Sequence, residues 1–153
     1  MVELHAPVPN FTLHDDGNQS RSLQEFRGKP VVLFFYPKAD TPGCTIEACG
    51  FRDMFAKLQD AGVVVLGISR DTPKAQAKWK AKYELPYTLL ADVDAEVCNL
   101  FGVLKEKNMY GKKVKGIERS TFLIAPDGTL ARVWEKVKPE GHAEEVLAAV
   151  KAA

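Results

Sequence analysis

No apolar run in this sequence approaches the roughly 20 residues that a bilayer-spanning helix needs. The longest, Val31 to Tyr36 and Val63 to Ile68, are strand-sized. The N-terminus, Met-Val-Glu-Leu-His-Ala-Pro-Val-Pro, has no basic segment leading into an apolar stretch, so no secretory or transit signal is visible. The chain is therefore expected in the cytoplasm, with no membrane contact. Charge of one sign is missing as well: 21 basic and 20 acidic side chains leave a net charge of +1. Without a basic surplus, nucleic acid is not the default partner. Cysteine is scarce, and three residues (Cys44, Cys49 and Cys98) make an odd, sparse set; in an intracellular protein stable structural disulfides are rare, and such thiols are usually reactive, metal-binding or buried. Internal repeats and low-complexity tracts are absent too.

What is present reads as one α/β domain spanning residues 1–153, with 46% hydrophobic residues and enough length for a core without metal or disulfide staples. Asp15-Asp16-Gly17-Asn18 and Ala125-Pro126-Asp127-Gly128 are turns within it. The two apolar runs, bounded by Gly28-Lys29-Pro30 and Pro37 and by Gly62 and Asp71, predict buried parallel strands. Between them a helix starts near Pro42-Gly43, carries Phe51, Met54, Phe55 and Leu58 at helical spacing, and stops before Gly62. Thr72-Pro73 opens a second helix reaching about Tyr83, with Trp79 as its core anchor. A short helix around Ala95 to Phe101 ends at Gly102, and Lys105 to Gly116, with five lysines, reads as a solvated loop. Arg119 to Ile124 and Thr129 to Trp134 predict an antiparallel hairpin, and Ala143, Val146, Leu147 and Val150 a final amphipathic helix. This order suits a thioredoxin-like fold, a mixed sheet flanked by helices.

Cys44 falls in the first turn of the helix that follows the first buried strand, at the carboxyl end of the sheet, where ligand sites gather. Free N–H groups and the helix dipole favour a thiolate there, which makes Cys44 a candidate nucleophile rather than a small buried hydrophobe. Cys49 is five residues on; an ideal helix separates the two Cα atoms by about 8.6 Å and rotates the side chains about 140° apart, beyond disulfide reach. Cys49 is either an incidental exposed thiol or a resolving thiol brought to Cys44 by unwinding. Cys98, between Val97 and Leu100-Phe101, reads as a buried inert thiol. No metal is expected, because Cys98, His5, His14 and His142 are too scattered to complete a zinc site. A Cys–His hydrolase needs an imidazole beside Cys44, whereas the histidines read as surface or terminal residues.

Pro37-x-x-x-Thr41-x-x-Cys44 resembles the active-site motif of peroxiredoxins. The fuller run Tyr36-Pro-Lys-x-x-Thr-Pro-Gly-Cys-Thr-x-Glu-x-Cys49, with Arg119-Ser-Thr-Phe-Leu-Ile124, is similar to the bacterioferritin-comigratory, or Q-type, branch. The likeness extends from Ala6-Pro-x-Pro-x-Phe-x-Leu13 to the final helix. It implies a thiol-dependent peroxidase acting on hydrogen peroxide and organic hydroperoxides, in which Cys44 becomes a sulfenic acid. It further implies an intramolecular Cys44–Cys49 disulfide, recycled by thioredoxin or a related dithiol donor. Thr41 would direct its hydroxyl at peroxide and thiolate, Arg119 would hold a planar cation beside the sulfur, and Pro37 would shield the site. Glu47, one turn after Cys44, would orient Arg119 in a supporting role. No cofactor is required, and the Q-type likeness implies a monomer.

Two other function classes compete. A general thiol–disulfide oxidoreductase would share the fold but usually carries Cys-x-x-Cys, where this chain has four residues between Cys44 and Cys49. A non-enzymatic, redox-sensitive binding protein would consume no peroxide with an added reductant. Lys105 to Lys115 invites a nucleic-acid reading, with Tyr110 alone available for stacking, but a solvated segment accounts for it better.

Overall fold

Both faces of the strand Val31–Phe35 are covered, which is why it reads as an unbroken apolar run. Val32, Phe34 and Tyr36 point to one cluster, with Ala48, Phe51 and Leu58 beneath a helix, together with Trp79, Trp134 and Val146. Val31, Leu33 and Phe35 point to the other, with Leu66, Ile68, Cys98, Phe101 and Phe122. The alternation follows from the two-residue repeat of a strand.

The chain's structure is a computed structural model describing residues 1–152, so Ala153 of the expected 1–153 unit lies outside the described residues. In chain order it forms β1 (Thr12–Asp15), β2 (Ser20–Ser22), a 3-10 turn (Leu23–Phe26), β3 (Val31–Phe35), α1 (Pro42–Asp60), β4 (Val64–Ser69), α2 (Pro73–Tyr83) and β5 (Thr88–Ala91). Then follow α3 (Glu96–Phe101), β6 (Leu104–Met109), β7 (Lys112–Ile117), β8 (Ser120–Ile124), β9 (Leu130–Trp134) and α4 (His142–Ala152). Seven strands make one mixed sheet in the order β2-β1-β5-β4-β3-β8-β9. Within it β3, β4 and β5 are parallel, and the outer strands join antiparallel. The expected mixed sheet flanked by helices is what the chain adopts. No helix among the described residues is long and apolar enough to cross a membrane.

Helix α1 begins with Pro42 in its first turn, where the missing N–H costs nothing, and is followed by Gly62 at φ +77°, a left-handed position that suits glycine. Phe51 on α1 stacks on Phe34 of β3 with ring centroids 4.7 Å apart. Gly67 on β4 permits this layer, since a Cβ there would stand 2.8 Å from the Phe34 ring and from Leu89. Helix α2 starts as read, Thr72 Oγ1 accepting from the Ala75 N–H with Pro73 next.

Two readings change. Lys105 to Gly116 is not a loop: β6 and β7 pair antiparallel around Tyr110-Gly111 as a separate two-stranded sheet. The lysines stand exposed on it and give no apolar alternation to reveal a strand; they also blunt the free edges against pairing with other chains. His142 is no surface residue. It is buried at the start of α4, shares a hydrogen bond between Nε2 and Thr121 Oγ1 at 2.8 Å, and lies edge-on to Phe51 and Trp134.

Candidate active site

Strand β8 runs antiparallel beside β3 with Ser120 opposite Phe35, so Arg119 arrives at the carboxyl end of β3, where the chain turns into α1. This register joins two residues 75 positions apart: Arg119 Nη2 lies 3.4 Å from Cys44 Sγ. Cys44 is almost fully buried in the first turn of α1. Glu47, three residues later and on the same face, accepts from Arg119 Nη1 at 2.8 Å. The guanidinium thus faces the sulfur with one nitrogen and a carboxylate with the other. The Arg119 backbone is pinned as well, its carbonyl accepting from the Val137 N–H at 2.9 Å.

Gly43 makes room for this approach: a Cβ there would sit 3.1 Å from Arg119 Nη2 and 3.6 Å from Pro139. The first intrahelical bond of α1 runs from the Thr45 N–H to the Thr41 carbonyl at 2.9 Å. The N–H groups of Gly43 and Cys44 precede it, and at a helix start such groups have no helical acceptor and favour negative charge.

Glu47 is a buried carboxyl whose Oε2 has no hydrogen-bond partner among the described residues. Burial pushes its pKa up to about 7, against the pull of the Arg119 charge and hydrogen bond. An unpaired, solvated glutamate on the helix surface is thereby ruled out, and the ion pair expected between Glu47 and Arg119 is present.

Thr41 caps α1 through its backbone and not its hydroxyl, which donates to Lys38 O at 2.7 Å. Pro37 is exposed at the end of β3, on the rim of the turn that carries Thr41. Cys49 lies in α1 but is half-buried, where Cys44 is enclosed. All three cysteines are free thiols. Cys98 is remote, fully buried in α3, and burial pushes its thiol pKa well up, with Asp92 adding to the shift.

Several residues that support the site were not assigned to it from the sequence. Trp79 Nε1 donates to Thr45 Oγ1 at 3.3 Å, and Tyr87 Oη donates to the Ala48 carbonyl at 2.5 Å, so two aromatic residues tie down the first half of α1. Behind the Thr41 turn, Tyr36, Ser69, Asp71 and Gln76 form a polar network. The position of Asp71 just past the carboxyl end of β4 was the one available hint, since sites collect at such ends. Among the described residues no three His, Cys, Asp or Glu side chains gather as a metal would require.

An enclosed thiol at a helix start, faced by a fixed guanidinium, suits attack by sulfur on an electrophile whose departing atom becomes negative. Comparison with known proteins agrees. The sequence profile of the AhpC/TSA family matches residues 4–133. A Coxiella burnetii protein bearing the name peroxiredoxin bcp is 55% identical over 146 residues, covering 95% of this chain and 97% of that one. A solved structure of the Xanthomonas campestris bacterioferritin comigratory protein, from work on its alkyl peroxide reduction, superposes with a TM-score of 0.91 at 43% identity, covering 99% of this chain and 97% of that one. A Xylella fastidiosa PrxQ variant superposes at 0.94 with 38% identity and the same coverages. The fold is the thioredoxin-like fold of these proteins.

Proposed function

This chain belongs to the AhpC/TSA family and is a peroxiredoxin of the Bcp branch, a thiol peroxidase, and on that premise we propose how its residues divide the work. The Cys44 thiolate attacks the outer oxygen of a hydroperoxide. The S–O bond forms as the O–O bond breaks, sulfur loses two electrons, and the departing oxygen takes up a proton to leave as water or an alcohol. Cys44 is left as a sulfenic acid. The single observation that supports this best is Arg119 Nη2 at 3.4 Å from Cys44 Sγ with Nη1 on Glu47. A cation fixed there stabilises the thiolate and then the charge moving onto the departing oxygen.

Thr41 orients the substrate. Its proton is given to Lys38 O, so its lone pairs are free to accept the hydroperoxide O–H. The N–H groups of Gly43 and Cys44 take the other side of the peroxide, and Pro37 shields the rim. Glu47 holds the guanidinium in its plane without touching substrate.

Cys49 is the resolving thiol: it condenses with the Cys44 sulfenic acid, releases water and forms the Cys44–Cys49 disulfide. Thioredoxin or a similar dithiol donor then restores both thiols by exchange. The protein works as a cytoplasmic monomer, one thioredoxin-like unit containing the whole site, with no nucleic acid or membrane partner. Replacing Cys44 with Ser tests the assignment, since an alcohol of far higher pKa takes the place of the nucleophile. Peroxide consumption with a dithiol reductant should vanish; turnover near that of the native protein would overturn the assignment.

A further inference from the structure

The peptide unit joining Lys38 to Ala39 is gripped from both sides. Its carbonyl oxygen accepts from Thr41 Oγ1 at 2.7 Å, and its N–H donates to Asp71 Oδ2 at 2.8 Å. In a trans peptide these two groups point in opposite directions from one rigid plane, so displacing one displaces the other. The charged acceptor also polarises the unit and strengthens its carbonyl as an acceptor for the Thr41 hydroxyl.

Asp71 is itself firmly held. Its Oδ2 accepts from Ser69 Oγ at 2.6 Å, and its own N–H donates to the same Oγ at 3.1 Å. Gln76 Nε2 donates to Ser69 Oγ at 3.0 Å and to Leu90 O at 3.0 Å, while Tyr36 Oη donates to Gln76 Oε1. Ser69 and Gln76 are fully buried. The anchor therefore rests on the end of β4 and on α2. By contrast, the turn's other polar tether, the Lys82–Asp40 ion pair, is 54% and 46% exposed at its two side chains and is weakened by solvent. Asp40 itself sits at φ +60°, a strained setting for a turn that must be held from outside.

Building on the role proposed for Thr41, we propose that Asp71 is a positioning residue for peroxide reduction: by fixing the 38–39 peptide it commits the Thr41 proton to Lys38 O and keeps the Thr41 lone pairs turned to the substrate. Its effect passes through Thr41 and does not involve the Cys44–Arg119 contact.

The test follows oxidation of Cys44 by one equivalent of hydrogen peroxide in a single turnover, read by tryptophan fluorescence. Asp71→Ala should slow it about 10- to 100-fold, the scale expected when an orienting group is misplaced. Asp71→Asn, which keeps an oxygen acceptor, should recover most of the rate. Alkylation of Cys44 by iodoacetamide as a function of pH should be unchanged in both, because Arg119 and the first turn of α1 are untouched. The deciding step is a double-mutant cycle with Thr41→Val. Thr41→Val should slow oxidation on its own, and adding Asp71→Ala should cost little more. Fully multiplicative losses, or altered alkylation that Asp71→Asn fails to restore, would overturn the role of Asp71 while leaving Thr41 in place. A native rate in Thr41→Val would overturn both. If Asp71→Ala does not fold, Asp71→Ser replaces it in the cycle.

Discussion

Cys44 and Cys49 lie five residues apart in one unbroken helix, the first enclosed and the second half-buried. Within an ideal helix such a pair stands about 8.6 Å apart at Cα, so a bond between them requires the helix to open. The first half of α1 is held by Trp79 on Thr45 and Tyr87 on Ala48, whereas the later half is fixed by Phe51 on Phe34 and by buried Leu58. Opening at least the first turn and a half forfeits a few backbone bonds worth roughly 1 kcal/mol each. Within residues 42 to 52, exchange of the amides from Gly43 onward should therefore accelerate in the oxidised protein and stay slow in the reduced one. Equal protection in protein with a mapped Cys44–Cys49 disulfide would contradict local opening.

Arg119→Lys should cost about 100-fold or more in the rate of Cys44 oxidation, although the charge is retained. A lysine ammonium has no planar fork with which to face Cys44 and Glu47 together. Single-turnover kinetics with hydrogen peroxide check this, and an unchanged rate would remove the guanidinium from the chemistry.

Glu47 makes stability depend on pH. Burial raises its folded-state pKa to about 7 from an ordinary 4.5, so between these values the folded protein holds a proton that the unfolded chain has released. The resulting stabilisation is complete below about pH 4.5 and is lost as pH rises through about 7. Glu47→Gln abolishes the titration. The stability of the native chain relative to Glu47→Gln, from urea unfolding, should fall between about pH 5 and 7 and level off above. His142, whose pKa burial lowers, titrates in both proteins and cancels in the difference. A difference that stays flat over this range would show that Glu47 is ionised throughout.

Cys49→Ser should still reduce one peroxide per chain but lose turnover supported by thioredoxin, its Cys44 persisting as sulfenate and becoming open to overoxidation. Cys98→Ser should change neither step, because its thiol is enclosed in α3, where burial and Asp92 disfavour the thiolate. Turnover assays with mass analysis of the oxidised thiols distinguish the two.

The elements built on long apolar runs or helical stripes were legible: β3, β4, α1 and α4 fall where the periodicity puts them, and α2 begins where the Thr72-Pro73 cap signal puts it. The strands β1, β2 and β5 were not, being three or four residues long, too short for any repeat to show. β6 and β7 were hidden by lysines on an exposed hairpin. Within the site, the motif placed Cys44, Thr41, Glu47 and Arg119 near one another, and the β3–β8 register supplies the reason. The tether made by Asp71, at which only its place past the end of β4 hinted, and the burial of His142 were not legible, because each depends on a contact between distant segments, with Ala39 in one case and Thr121 in the other.

A mass-spectrometric map of the thiols after one equivalent of hydrogen peroxide shows whether Cys44 attacks the peroxide and Cys49 resolves the product. The expected result is a Cys44–Cys49 disulfide with Cys98 still reduced, replaced in Cys49→Ser by a sulfenic acid on Cys44 that a dimedone probe traps. A Cys44–Cys98 bond would remove Cys49 as the resolving thiol, and a Cys44 left unmodified while peroxide is consumed would remove Cys44 as the nucleophile.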